Sequence, residues 1–221
     1  MEQKEIAIPA GTSHVRGTLT LVPHATGLVI FAHGSGSSRT SVRNQFVATF
    51  LNKANLSTLL FDLLTPEEEE VDERTREYRF DIPLLAERLL LVTDWVKNNH
   101  TTAHRKIGYF GASTGAAAAL IAAAKAPHDI HAIVSRGGRP DLADEFLEHV
   151  TTPTLLLVGA QDPEVIHLNQ IAFEQMTACT TKELQLIPHA THLFEEPGTL
   201  EEVAHRSAQW FAKFLEYKNI P

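Results

Sequence analysis

KIGYFGASTGAAAALIAAAK, residues Lys106–Lys125, changes backbone preference midway along its length. Ile107–Phe110 is a short apolar and aromatic run of strand character, and Ala116–Lys125 is an alanine-rich run of helix formers. Between them lies Gly111-Ala112-Ser113-Thr114-Gly115, which fits the pattern G-x-S-x-G. A serine held at a sharp strand-to-helix turn takes a strained backbone conformation, so the residues around it must be small. Such a turn lifts the hydroxyl above the carboxyl end of a sheet and aims a helix N-terminus at whatever it attacks. A plain glycine turn between strand and helix satisfies the same five letters, so the remainder of the chain has to distinguish the two.

Working outward, strands and helices alternate on both sides of this stretch. Glu5–Pro9 and Val15–Val22 read as an opening antiparallel pair, joined through Ala10-Gly11-Thr12. Leu28–Ala32, Leu56–Phe61, Ile130–Ser135, Thr154–Val158 and Glu183–Ile187 are the other strand candidates. Helices are expected over Ser41–Lys53, with Val42, Phe46 and Phe50 on one face, and over Asp81–Asn98, with Ile82, Leu85, Leu89, Val92 and Val96 on one face. Further helices are expected from Pro140 to about Glu148, over Glu164–Met176, and over Leu200–Tyr217. Thr65–Phe80, TPEEEEVDERTREYRF, reads as a solvated loop or frayed helix. The pattern gives eight strands and six helices, hence a mostly parallel sheet covered on both faces. No connection has room for a cap domain, and residues 1–221 read as one α/β domain.

Composition narrows the partners. Nineteen basic against 27 acidic residues give a formal charge of −8, which disfavours nucleic acid or an anionic membrane as the main partner. A small-molecule substrate is expected instead; nothing in the chain distinguishes monomer from homodimer. MEQKEIAIPAG lacks the basic start and apolar core of a signal peptide. Cys179 is the one cysteine, so a reducing, cytoplasmic setting is the expectation. Ile107–Ala124 carries no charge, but its small residues and glycine turn read as a buried core helix rather than a membrane span.

Ligands on open parallel sheets bind beyond the carboxyl ends of the strands. Ser113, His33, Arg136, Asp162 and His192 all fall just past such an end, on one edge of the molecule. A serine hydroxyl is a poor nucleophile at neutral pH and needs a base within hydrogen-bond reach. His192 is the candidate base, accepting the Ser113 proton and returning it to the leaving group. Asp162 is placed to hold the second ring nitrogen protonated. His189 is the weaker choice of base, because it abuts Pro188 and the strand end. His33 reads as a structural brace for its loop.

These pieces resemble an α/β-hydrolase along nearly the whole chain, and in size the dienelactone hydrolase-like branch. The matching stretches are HGSGSS after the third strand, GASTG after the fifth, VGAQDPEV after the seventh and HATHLF after the eighth. The order Ser113…Asp162…His192 is the order of that superfamily's triad. The resemblance implies a three-layer fold and acyl-transfer chemistry without a cofactor. It also implies an oxyanion hole built from the Thr114 amide and a second amide in the His33-Gly34-Ser35-Gly36 loop, with Ser35 favoured over Gly36. The chain departs from dienelactone hydrolases proper in one respect: they carry a cysteine at the elbow, whereas this chain has Ser113. A serine there points to esters, thioesters or amides.

Arg39, Arg43, Arg136 and Arg139 follow strands on the same edge; they either neutralise the chain's acidic loops or bind an acidic substrate, and for binding Arg136 with Arg139 is the favoured pair. His189 and His192 lack a third ligand at metal spacing, so no metal is expected. The reading is a serine hydrolase forming an acyl-enzyme. A small peptidase of the prolyl-oligopeptidase kind and a non-hydrolytic binding module on the same scaffold are the competing readings.

Overall fold

The chain opens with a hairpin. Strand β1 (Glu2–Ala10) pairs antiparallel with β2 (Ser13–Leu21), in a register that sets Ile6 against Gly17. The tight turn between them uses Gly11 at φ +63°, a left-handed value that glycine adopts without a Cβ clash. The computed structural model describes residues 1–216. Six further strands follow: β3 (Gly27–Ala32), β4 (Ser57–Phe61), β5 (Lys106–Ala112), β6 (Ile130–Arg136), β7 (Thr154–Gly159) and β8 (Lys182–Ile187). They form one eight-stranded sheet in the order β1-β2-β4-β3-β5-β6-β7-β8. Only the pairs made by β2 are antiparallel; the other five are parallel.

Side chains alternate across the central strands, and each face has its own helices. β3 sends Leu28, Ile30 and Ala32 to one core and Val29 and Phe31 to the other. On the first side lie α3 (Ile82–Asn98), α4 (Thr114–Lys125) and α5 (Pro163–Gln175); on the second lie α1 (Val42–Lys53) and α6 (Thr199–Leu215). Burial on both faces is why these strands are apolar throughout rather than alternating. Along α4 every residue from Thr114 to Ala123 is buried. Its alanines allow a close approach to the sheet while keeping helix propensity high.

Two segments differ from the sequence expectation. Pro66–Thr75 is a well-formed helix, α2 in chain order once Pro66–Thr75 is counted between β4 and α3. Thr65 accepts from the Glu68 amide and the Glu68 carboxylate accepts from the Thr65 amide, a reciprocal capping box, with Pro66 in the first turn. Three glutamates in that turn complement the helix dipole. The segment Pro140–His149 is a 3-10 helix kinked at Asp144, where φ is +44°, rather than a regular α-helix.

The core face of α1 also differs. Val42 is 81% exposed and Phe46 is exposed at its edge, while Asn44, Val47, Ala48 and Leu51 point inward. The expected face of α3 matches, and α6 buries Val203, Ala204, Ser207 and Phe211; Tyr217 lies outside the described residues. No cap domain interrupts the described residues. Among them no helix is long and apolar enough to cross a membrane.

From β3 the chain moves to β4 on one side and later returns to β5 on the other. That reversal opens a crevice at the carboxyl ends of β3 and β5, the place where open sheets of this kind hold ligands. The loop His33–Ser38 and Ser113 both emerge there.

Candidate active site

Ser113 stands at the junction of β5 and α4 with φ +49° and ψ −121°. A non-glycine residue at such a backbone conformation is strained, and persists only where its surroundings over-determine it. They do so here. The Ser113 amide donates to the Arg136 carbonyl at 3.3 Å, and the Ser113 carbonyl accepts from the Ala116 and Arg139 amides at 3.1 and 3.0 Å. The flanking glycines are sterically required. A Cβ on Gly111 would lie 2.5 Å from Ala116 Cα, and one on Gly115 would collide with the Ala32 carbonyl oxygen.

Asp162 follows β7 and His192 follows β8. The two loops are laced together: the Gln161 amide donates to the Ala190 carbonyl and the Ala160 amide to the Ile187 carbonyl, each at 2.9 Å. The Thr191 amide and hydroxyl both donate to Glu196, and Phe194 is buried as an anchor just beyond. With the backbone so fixed, Asp162 Oδ2 lies 2.7 Å from His192 Nδ1. His192 and Ser113 line one cavity of about 200 Å³, together with Ser35, Arg43, Asn44 and Arg136. Ser113, Asp162 and His192, separated by up to 79 positions in the chain, are thus gathered at one edge of the sheet. His189 does not line this cavity; it is exposed and at φ +65°.

The loop after β3 is held by His33. Its Nε2 accepts from the Leu63 amide at 3.0 Å, which leaves Nδ1 as the protonated nitrogen, donating to the Gly34 carbonyl at 2.9 Å. Burial pushes the His33 pKa down, against smaller opposing effects of the Gly34 carbonyl and Asp62. The imidazole is therefore a neutral brace.

The two amides expected to face an oxyanion are in different states. The Thr114 amide opens α4 and, as a first-turn N–H, has no partner within the helix. The Ser35 amide is engaged, donating to Thr114 Oγ1 at 2.9 Å. Sequence alone could not foresee this competitor, because it comes from a side chain 79 positions away.

The expected arginine pair is split. Arg139 turns away after Gly137 and Gly138 and spends its guanidinium on Asp141, at 2.8 Å for Nη2, so it does not line the cavity. Arg136 does line it, 7% exposed, with Nη2 donating to Asn44 Oδ1 at 3.1 Å. Arg39 pairs with Asp62 and Glu5 beneath the loop, while Arg43 reaches Glu195 at 3.3 Å across the cavity rim. Asn44 was not expected at the site. Its only signal is a polar residue in register with Val47, Ala48 and Leu51 on the buried face of α1. Among the described residues no group of three or more His, Cys, Asp or Glu side chains is gathered as a metal site.

Residues 43–218 match the family described as "Dienelactone hydrolase family". A solved dienelactone hydrolase from Anabaena variabilis is 54% identical and superposes with a TM-score of 0.94, over 97% of this chain and 99% of that one. Est1E from Butyrivibrio proteoclasticus, at 18% identity, superposes with a TM-score of 0.78 over 95% of this chain and 98% of its own, a likeness of fold. A Mycobacterium tuberculosis H37Rv protein provisionally named a phosphoribosyl transferase is 52% identical over 215 residues, 97% of this chain and 47% of that protein. The chain thus spans about half the length of the curated relatives it matches. The three-layer arrangement is the α/β-hydrolase fold.

Proposed function

The chain belongs to the dienelactone hydrolase family, and from that premise we propose that it is a serine hydrolase cleaving a carboxylic ester or thioester through an acyl-enzyme. The observation that carries this reading is the 2.7 Å contact between Asp162 and His192 beside a cavity shared with Ser113. Asp162 holds Nδ1–H, leaving Nε2 of His192 as the acceptor for the Ser113 proton. Ser113 Oγ attacks the carbonyl carbon, and the tetrahedral oxyanion forms at the start of α4. There the Thr114 amide is one donor and the Ser35 amide the second, exchanging Thr114 Oγ1 for the substrate oxygen. His192 then protonates the leaving alcohol or thiol. Water, deprotonated by the same imidazole, releases the acid and restores Ser113.

No step needs a cofactor or metal. A cytoplasmic setting fits a chain with one cysteine, which is buried.

The test is hydrolysis of nitrophenyl esters of increasing acyl length, with a thioester and a dipeptide beside them. Ser113→Ala is expected to abolish turnover with an unchanged circular dichroism spectrum, and a fluorophosphonate is expected to add its mass at Ser113 in the parent protein. Full turnover in Ser113→Ala refutes the assignment. Cleavage of the dipeptide alone would favour a peptidase, and a folded protein that takes no adduct would favour a binding module.

A further inference from the structure

We infer that the cavity beside Ser113 is an anion site for a phosphate group carried by the substrate, formed by Arg136 and Arg43 at the N-terminus of α1; this rests on the hydrolase reading for the bond that is cut.

Arg136 carries the inference. Six other arginines, at positions 39, 43, 79, 88, 139 and 206, each have a carboxylate within ion-pair distance. Arg88 is comparably buried, and it has Glu68 at 2.7 Å. Arg136 has no such carboxylate among the described residues. Its hydrogen bond goes to the neutral carboxamide of Asn44, its guanidinium lies 5.8 Å from the centre of the Phe194 ring, and its Nε is buried without an acceptor. A buried cation without a counter-charge is destabilising, and an anionic ligand would supply the missing charge. Burial, reinforced by the charge of Arg43, pushes the Arg136 pKa down to about 10, which leaves it a cation at neutral pH.

The surroundings repeat the signal. Arg43 faces the same cavity, and its Nε is also buried without an acceptor. Its carboxylate partner among the described residues, Glu195, lies 3.3 Å away and is 66% exposed. Ser35, Ser37 and Ser41 add hydroxyls. The first turn of α1 has no acidic residue, as in α3 and α4, so no carboxylate there offsets the positive end of its dipole. Two guanidinium groups, three hydroxyls and a helix start offer more donors than the two oxygens of a carboxylate can take; a phosphate has the oxygens and the charge to use them.

Two measurements test this on the full chain. The first is calorimetric titration with inorganic phosphate in chloride buffer at constant ionic strength. One phosphate is expected to bind, at least about tenfold more weakly in Arg136→Gln and in Arg43→Gln, and more tightly in Glu195→Gln, where Arg43 is released. If Arg136→Gln does not fold, Arg43→Gln at the rim still carries the comparison. The second compares kcat/KM on three acetyl esters with matched alcohols: neutral, carboxylate-bearing and phosphate-bearing. The phosphate ester is expected to lead, through KM. Failure of the parent protein to bind phosphate, equal binding in both arginine variants, or a lead for the neutral or carboxylate ester overturns the inference. The titration needs no turnover, so the two readings fail separately: phosphate bound with no ester cleaved sinks the hydrolase, and ester cleaved with no phosphate bound sinks the anion site.

Discussion

Asp162 and His192 meet at 2.7 Å across loops that leave adjacent parallel strands, with the carboxylate less exposed than the imidazole, 15% against 39%. The carboxylate fixes the tautomer as well as the ring orientation, because an ionised acid can only accept, so Nδ1 must carry the proton. Asp162→Asn keeps the shape and loses that instruction: its amide can donate to Nδ1 and turn the proton to the nitrogen that should receive one from Ser113. The expected result is a fall in kcat of roughly four orders of magnitude, the scale of the same change in a serine protease. Ester kinetics with a parallel melting curve check it. A loss under tenfold in a folded variant would mean that Asp162 is not the residue orienting His192.

The loop that precedes α1 rests on a second pair. Asp72, buried on α2, accepts from the Tyr78 and Arg79 amides at 2.9 Å each and from Arg79 Nε at 2.6 Å. This clamp turns the chain after α2 and brings Arg79 beneath Gly36, where a Cβ would come within 3.2 Å of its Nη1. Asp72→Ala leaves two amides and the Nε of a mostly buried guanidinium without their acceptor, while Arg79 Nη2 keeps its bond to the residue-72 carbonyl. Breaking a buried pair in this one-sided way costs about 3–5 kcal/mol, and the partial exposure of Arg79 places the expectation near 3 kcal/mol. Urea denaturation of the parent and variant measures it. A loss under 1 kcal/mol, the scale of a surface ion pair, would show the clamp to be dispensable.

The sequence carried the sheet well because the β3 to β7 strands are largely apolar and buried on both faces, and each is bounded by glycine, proline or polar turns. It also carried the placement of Ser113, Asp162 and His192 on one edge, because parallel strands deliver their carboxyl ends there and position after a strand predicts position in space. What it hid was set by partners distant in the chain. Asn44 on α1 faces inward and bonds Arg136, so of the expected apolar face only Phe50 packs on the core, while Val42 and Phe46 are exposed. Arg139 and Arg136 look alike in sequence, and only the turn at Gly137, φ +51°, separates their directions. The helix at Pro66–Thr75 was different: Thr65-x-x-Glu68 with Pro66 is a legible helix start, overshadowed by the density of like charges around it.

His33 makes the fold sensitive to acid in a defined window. Its folded-state pKa lies below the usual 6.5, chiefly because it is buried. The unfolded chain therefore takes up a proton first as pH falls, and the neutral brace loses its stabilising effect from about pH 6.5 down through the folded pKa. Protonation would also turn Nε2 from an acceptor into a donor facing the Leu63 amide, with no way to keep that bond. His131, likewise lowered by partial burial, adds to the fall over the same range, whereas Asp72, held below its ordinary 3.8, acts only in stronger acid. The melting temperature is expected to be flat from pH 8 to 7 and to fall from pH 6.5 to 5. In His33→Gln, whose side-chain oxygen can still accept from Leu63, the fall is expected to be shallower. Parallel curves for parent and variant would place the acid sensitivity in some group other than His33.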